Sequence, residues 1–231
     1  MPYFFFDYYY VILVIPAMLL AVWAQYKVKS TYNKFSKVGN SKGITGAYAA
    51  QAVLTHYGIS DVRIEQVSGK LTDHYDPKSK VIRLSEGVYG SSTIAAVGIA
   101  CHEAGHAAQH AQDYVPIKIR NSLVPVCNIG SSLGIPLAIL GYFLGFEPLI
   151  AFGLLLYAAI ALFQVATLPV ELNASRRALK VIDDTGLLYG EEQSGAKKVL
   201  TAAAMTYIAS MLVAIANLLR LVLRFSNNRR N

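Results

Sequence analysis

The chain contains few charged residues. Asp, Glu, Lys and Arg make up 15% of its 231 residues, whereas hydrophobic residues make up 54%, and the mean hydropathy is +0.39. Soluble globular domains usually carry about 25% charged residues, so this composition excludes an ordinary soluble domain. Several uncharged runs reach the length of about 20 residues that a membrane-spanning helix needs. We therefore predict a membrane protein that forms a single unit over residues 1–231.

Cysteine is scarce as well, with Cys101 and Cys127 as the two examples. Two cysteines exclude the disulfide framework that stabilises many small secreted domains. Cys101 precedes a candidate site directly, and Cys127 falls within an apolar run. We interpret both as small packing residues.

Long apolar runs predict four transmembrane helices. The predicted spans are 8–24, 122–146, 148–168 and 201–223, and the polar segments between them are 25–120 and 169–198. The short connection between the second and third spans predicts a helical hairpin. The first run has an acidic residue before it and lysines after it, which is the wrong charge order for a signal peptide. An uncleaved anchor is therefore the better interpretation.

Positive charge is distributed unevenly along these segments. Residues 25–120 carry twelve Lys and Arg and residues 169–198 carry five, whereas the N-terminal tail and the hairpin turn carry none. The positive-inside rule places both polar segments on the cytoplasmic face. The four arginines at the C-terminal end then fall on the wrong side, so either the last span does not cross fully or the tail departs from the rule. Topology and anionic lipid headgroups explain the net charge of +7 better than nucleic-acid binding does.

The first polar segment predicts a small α+β portion. A helix is expected over 43–57, strand-like runs follow at 62–67, 70–75 and 81–84, and a second helix is expected from about Thr93 through Gln112. The alternation of apolar and polar residues predicts a short sheet of about three strands. Ser91 and Ser92 offer a cap for the second helix.

The second helix contains the HExxH pattern, with His102, Glu103 and His106 as its defining residues. Positions i and i+4 of an α-helix share one face, so both histidines can direct their imidazoles at one metal ion. Glu103 lies beside the first ligand and can act as general base toward a water that Zn²⁺ activates. The alternative is a pair of exposed helix histidines with a glutamate between them.

A catalytic zinc site usually has three protein ligands and an open position for water. We expect Glu171 to be the third ligand, because it begins the second polar segment on the same side of the membrane as the HExxH helix. An interfacial charge is the alternative. His110 continues the i+4 series, but three such positions drift around the helix and share one metal poorly. His56 and His74 are isolated in the sequence and are weaker candidates.

Other polar residues are candidates for supporting roles. Asn121, Asn173 or Ser175 are suited to hold the ligands by hydrogen bonds. Arg176 and Arg177 are expected to bind lipid headgroups, with stabilisation of an oxyanion as the alternative.

Four strings carry a resemblance to one family, and the resemblance extends over nearly the whole chain. They are 71–77, 83–85, 102–110 and 171–175. They look like the bacterial neutral zinc metallopeptidases of the YugP type, which are similar in layout to HtpX-type and CAAX prenyl proteases. The resemblance implies a gluzincin-like site in which Glu171 matches the first residue of the ExxxD motif of those relatives. Ser175 stands where they have the aspartate.

The sequence thus predicts a mainly α membrane protein, multi-pass in a bacterial cell membrane, with four transmembrane helices and a small α+β zincin-like portion on the cytoplasmic side. The predicted activity is that of a zinc metalloendopeptidase. One Zn²⁺ per chain is held by His102, His106 and Glu171, and Glu103 is the general base. The substrate is a protein or peptide, such as a membrane protein. It is received as an added strand near 71–75 or 81–84.

Two other functions remain open. A non-catalytic membrane partner or scaffold protein would hold a structural or vestigial zinc, and a structural site would need four protein ligands where three good candidates are visible. A transporter or channel would carry charges inside its spans, and the apolar runs contain almost none. The lipid bilayer is an expected partner, and nucleic acid is not.

Overall fold

The computed structural model describes residues 7–227, which are mostly helical. The helices are α1 (Ile15–Phe35), α2 (Gly46–His56), α3 (Glu86–Tyr89), α4 (Ile94–Ala111), α5 (Val115–Leu144), α6 (Glu147–Asp184) and α7 (Glu191–Asn227). A π-helical segment, Tyr10–Val14, precedes α1, and the strands are β1 (Arg63–Val67), β2 (His74–Asp76) and β3 (Val81–Ser85). The predicted fold class, a mainly α membrane protein with a small α+β portion, is confirmed.

The described chain forms two compact units, each assembled from separate stretches. The apolar unit contains the described residues up to Gln25, Pro116–Pro169 and the described residues from Thr206 onward. The polar unit contains Tyr26–Val115 and Val170–Met205. That residues 1–231 act as a single unit stays a prediction.

Four helical stretches are long and apolar enough to cross a membrane: Tyr10–Phe35, Val115–Leu144, Glu147–Asp184 and Glu191–Arg224. Each predicted span overlaps one of these stretches, so the number of candidate spans is confirmed. Their bounds differ from the prediction, because α6 continues through Pro169 to Asp184 and α7 begins at Glu191. The polar segment 169–198 is thus mostly helical, since it comprises the end of α6 and the start of α7. Prolines are tolerated within membrane helices, where neighbouring groups compensate for the missing hydrogen bond.

Glycines let α5 and α6 pack closely within the apolar unit. A Cβ added to Gly134 would lie 3.1 Å from the carbonyl oxygen of Gly153, and one added to Gly153 would lie 2.5 Å from the backbone nitrogen of Ala138. Small residues at helix–helix contacts are typical of membrane proteins, since they allow backbones to approach. The helices are joined at Gly145, whose φ of +63° suits glycine. The predicted hairpin is present.

An acidic residue compensates for the arginines near the end of α7. Asp7 Oδ2 accepts hydrogen bonds from Arg220 Nε at 3.0 Å and Arg224 Nη1 at 2.6 Å. The Arg220 guanidinium also lies 4.8 Å from the centre of the Tyr10 ring. Two of the four C-terminal arginines are thus paired with a carboxylate. The other two lie outside the described residues.

The sheet of the polar unit has the strand order β1-β3-β2, with β1 parallel and β2 antiparallel to β3. The predicted number of strands is confirmed, although the second strand forms only at His74–Asp76. β3 has a partner on both sides, so the prediction that 81–84 receives an added strand is wrong. β2 has one edge that no described strand covers.

Helix α4 lies at the centre of the polar unit. Thr93 caps it by accepting a hydrogen bond from the backbone N–H of Ala96 at 3.3 Å, in place of the predicted Ser91 or Ser92. The cap orients the start of the helix that carries the HExxH pattern. One face of α4 is made of fully buried small residues, among them Ala100, Cys101, Ala104 and Ala108. Small side chains allow neighbouring helices to approach α4 closely.

Candidate metal centre

Two helices of the polar unit bring three ligand-type side chains together. His102 and His106 lie one turn apart on α4, and Glu171 lies on α6. Glu171 Oε2 is 3.2 Å from His102 Nε2 and 3.5 Å from His106 Nε2. One potential ligand atom from each residue lies within 4.8 Å of the other two. This separation suits three ligands of one metal ion.

The cluster is largely withdrawn from solvent. The side chain of Glu171 is 4% exposed, and those of His102 and His106 are 13% and 12% exposed. A buried carboxylate is costly unless positive or hydrogen-bonding groups face it, and here two imidazoles do so. Burial lowers the pKa of His106, but Glu171 and Glu103 outweigh this effect and raise it above its usual value.

The second nitrogen of each imidazole has its own acceptor. His102 Nδ1 lies 3.1 Å from the hydroxyl oxygen of Ser175, and His106 Nδ1 lies 3.0 Å from Gln109 Oε1. The tautomer with its hydrogen on Nδ1 satisfies both contacts. It leaves Nε2 of each neutral imidazole without a hydrogen and available to a metal ion beside Glu171. Such contacts fix the rotation of a ligand histidine and increase its basicity.

Gln109 extends this arrangement to α6. Its fully buried side chain donates from Nε2 to the carbonyl oxygen of Val170 at 2.7 Å and to Asn173 Oδ1 at 3.0 Å. Asn173 Oδ1 also accepts from Arg177 Nε at 2.7 Å. The buried amide therefore joins His106 to the turn that carries Glu171. This role of Gln109 is not predicted from the sequence, although the residue belongs to the string 102–110 that carries the family resemblance.

Arg177 is held within the polar unit. Its guanidinium carbon lies 5.5 Å from the ring centre of Tyr57 and 5.9 Å from that of Tyr114, distances typical of cation–π contact. Together with the hydrogen bond to Asn173, these contacts place Arg177 as a support of α6.

Glu103 is half-buried on α4, directly after His102. Among residues 7–227 its carboxylate has no hydrogen-bond or ion-pair partner. A carboxylate without a fixed partner is free to exchange a proton with water, as a general base must.

Gly105 sets the distance between α4 and α6. A Cβ at this position would lie 2.7 Å from the carbonyl oxygen of Ala174. A real side chain would meet this carbonyl group and force the two backbones apart. Ala174 lies between Glu171 and Ser175 in the same turns of α6. The glycine within the HExxH pattern therefore permits the approach that brings the ligand-type residues together.

The weaker histidine candidates lie elsewhere. The ring centre of His110 is 5.6 Å from that of Tyr75. His74 Nδ1 is 2.7 Å from the carbonyl oxygen of Thr72, and His56 Nε2 is 3.8 Å from Asp184 Oδ2. None of the three belongs to the described ligand cluster. Asn121, a proposed supporting residue, belongs to the apolar unit.

The fold and the cluster define a class of protein: a multi-pass membrane protein whose HExxH helix meets a glutamate of a second helix. Residues 10–226 match the family model described as "Putative neutral zinc metallopeptidase", and the chain belongs to this family. It is 46% identical over 220 residues to "Putative membrane protease YugP" of Bacillus subtilis (strain 168). That match covers 95% of this chain and 98% of the relative. No solved structure matches the chain.

Proposed function

We propose that the protein is a zinc-dependent membrane endopeptidase with one Zn²⁺ per chain, held by His102, His106 and Glu171. The observation that carries the proposal is the meeting of these side chains, with Nε2 of both histidines directed at one carboxylate oxygen. Two imidazoles and one glutamate form the donor set of catalytic zinc in gluzincin-type peptidases. The Nδ1 contacts of both histidines also fit zinc ligation, which requires neutral imidazoles.

Bound zinc supplies a Lewis acid that lowers the pKa of a water from ~15.7 to ~7. Glu103 accepts a proton from the attacking water and passes it to the leaving nitrogen when the peptide bond breaks. Ser175 and Gln109 keep the two imidazoles in the productive tautomer. The low exposure of the cluster limits bulk water and strengthens the electrostatic interactions within the site.

The free edge of β2 supports the choice of a peptide as substrate. An extended peptide can pair with an uncovered strand edge through backbone hydrogen bonds, independently of its side chains. β2 packs against α4, which carries the HExxH pattern. The site is proposed to lie on the cytoplasmic side of a bacterial cell membrane, since the polar segments carry most of the basic residues.

The substitution Glu103→Gln tests the proposed chemistry. It removes the proton acceptor and keeps the size of the side chain, so peptide cleavage should fall by at least about 10²-fold while zinc content is unchanged. Cleavage of casein and of a membrane peptide, together with metal analysis, would be measured on the purified full-length protein. Glu86→Gln, at an exposed position of α3, is the matched control and should behave as wild type. Full cleavage by Glu103→Gln would contradict the proposal.

A non-catalytic scaffold protein with structural zinc is the alternative. Structural sites usually have four protein ligands, whereas the described cluster offers three. This observation favours the peptidase. A wild-type protein that binds zinc fully and cleaves neither test substrate would favour the scaffold.

A further inference from the structure

A hollow lined by lysines lies between α1 and α7, within the polar unit. Its volume is about 540 Å³. We call it the lysine hollow; its lining comprises Lys27, Ser30, Thr31, Lys34, Phe35, Ser194, Lys197, Lys198, Thr201, Ala202 and Met205. The lining consists of four lysines, four hydroxyl residues and three apolar residues, and no Asp or Glu lines the hollow. Its chemistry is that of a site for an anion with an apolar attachment.

The lysines are available for such a ligand. All four are exposed, and none of them has a carboxylate within ion-pair distance among the residues that the structure describes. Lys34 Nζ lies 5.4 Å from the centre of the Phe35 ring. This contact orients the Lys34 side chain without neutralising its charge. Close positive charges repel one another, so an anion that binds among them relieves this repulsion.

The hollow has a defined shape because α1 and α7 approach at one point. A Cβ added to Gly195 would lie 2.7 Å from the Phe35 ring, so the glycine allows the ring to lie against α7. The lining residues of α1 lie between Lys27 and Phe35, and those of α7 lie between Ser194 and Met205.

The position along the sequence points to a lipid rather than a soluble anion. The apolar run of α1 ends just before Lys27, and that of α7 begins at Thr201. The hollow therefore lies where both helices change from apolar to polar, which is the level of lipid headgroups. Its lysines and hydroxyls suit phosphate oxygens, and Ala202 and Met205 lie toward the apolar stretch, as acyl chains require.

We propose that the lysine hollow is a binding site for an anionic phospholipid, whose phosphodiester contacts the lysines and whose acyl chains lie against Ala202 and Met205 of α7. Basic pockets between membrane helices on the cytoplasmic side bind such headgroups in other proteins. The site is separate from the metal centre and does not depend on peptidase activity. It would make the stability of the protein sensitive to the lipid composition of the membrane.

The test measures lipid binding to the purified full-length protein in a non-ionic detergent. Phosphatidylglycerol is titrated, and the unfolding temperature is followed by intrinsic fluorescence. The lipid concentration that gives half the maximal stabilisation is compared between wild type and Lys34→Gln/Lys197→Gln. We expect this half-maximal lipid concentration to rise about fivefold for each lysine removed, which is the ratio that corresponds to ~1 kcal/mol of binding free energy. Zinc content should be unchanged, which shows that the variant is folded.

The matched control is Lys29→Gln/Lys37→Gln, which removes the same charge from exposed positions outside the hollow. It should keep the wild-type response. An equal loss in both double variants would contradict the proposal, because it would mean attraction to surface charge in general. Equal stabilisation by phosphatidylcholine would also contradict it. Glycerol 3-phosphate acting at the same concentrations as the lipid would assign the hollow to a soluble phosphate compound and overturn the lipid assignment.

Discussion

Each histidine of the HExxH pattern depends on a different residue type for its orientation. His102 Nδ1 faces a hydroxyl, that of Ser175, and His106 Nδ1 faces an amide, that of Gln109. The resemblance to proteases with an ExxxD motif implies an aspartate at position 175. The shorter serine nevertheless reaches the imidazole. The supporting contact is therefore kept, but it lacks the negative charge that an aspartate would bring.

Substitutions at position 175 test this support. Ser175→Ala removes the acceptor for His102 Nδ1, so zinc affinity should fall by about 10-fold, the lower end of the range for such contacts. Ser175→Asp restores an acceptor with charge and should bind zinc at least as tightly as wild type. Affinity would be measured by competition with a chromogenic chelator. The control is Ser36→Ala, because the Ser36 hydroxyl donates to the carbonyl oxygen of Asn33, three residues earlier, and is outside the metal cluster. Wild-type affinity in Ser175→Ala would show that the contact does not support the ligand.

The meeting of α4 and α6 is what assembles the site from elements distant in the sequence. Gly105 permits the approach, and Gln109 bonds across it to Val170 and Asn173. Both contacts lie within three residues of a candidate ligand. A small change in helix separation should therefore disturb the cluster more than the rest of the polar unit.

The substitution Gly105→Ala tests the role of this approach. The added methyl group meets the backbone of Ala174, so the folded state should lose about 1–3 kcal/mol, as overpacked cores do, and zinc should be lost. Gly98→Ala lies on the same helix, and its Cβ would meet Ala196 at an ordinary 3.5 Å. This control should be neutral or stabilising, because alanine favours helix over glycine by ~1 kcal/mol. Thermal unfolding and metal analysis would be compared, and equal behaviour of both variants would contradict the account.

The elements show which parts of the structure local sequence determines. The four spans follow from the length of apolar runs, and the pair of histidines follows from i, i+4 spacing. The end of α6 does not follow from local sequence, since Pro169 suggests a helix boundary and the helix continues past it. The contacts of Gln109 and Gly105 do not follow from it either, because they depend on packing between residues more than sixty positions apart. The metal cluster could be proposed from sequence, whereas its supporting contacts could not.

At the scale of the whole molecule, the central question is how the chain crosses the membrane. Asp7 lies beside Arg220 and Arg224, so the start of the first apolar helix adjoins the end of the last. Two ends that lie side by side are on the same face of the membrane, so this pairing agrees with an even number of crossings. Four crossings would place the polar segments 25–120 and 169–198 on one face, as the positive-inside rule also indicates.

Cysteine labelling tests this topology. In a Cys127→Ser background, Tyr8→Cys and a cysteine added after residue 231 should react with a membrane-impermeant maleimide from the outside of intact cells. Lys78→Cys, in an exposed turn of the polar unit, should react only after the membrane is opened. The remaining Cys101 is fully buried, and burial raises its pKa, so it should stay unlabelled. Labelling of the two ends from opposite sides would require an odd number of crossings.

The central claim is that Glu171 completes a catalytic zinc site with His102 and His106. The most direct test is the zinc content of purified wild type and Glu171→Ala, with peptide cleavage measured on the same samples and Glu86→Ala as control. We expect about one zinc per chain in wild type and control, and loss of both zinc and cleavage in Glu171→Ala. Full zinc occupancy without Glu171 would contradict the account, because another residue would then have to complete the site.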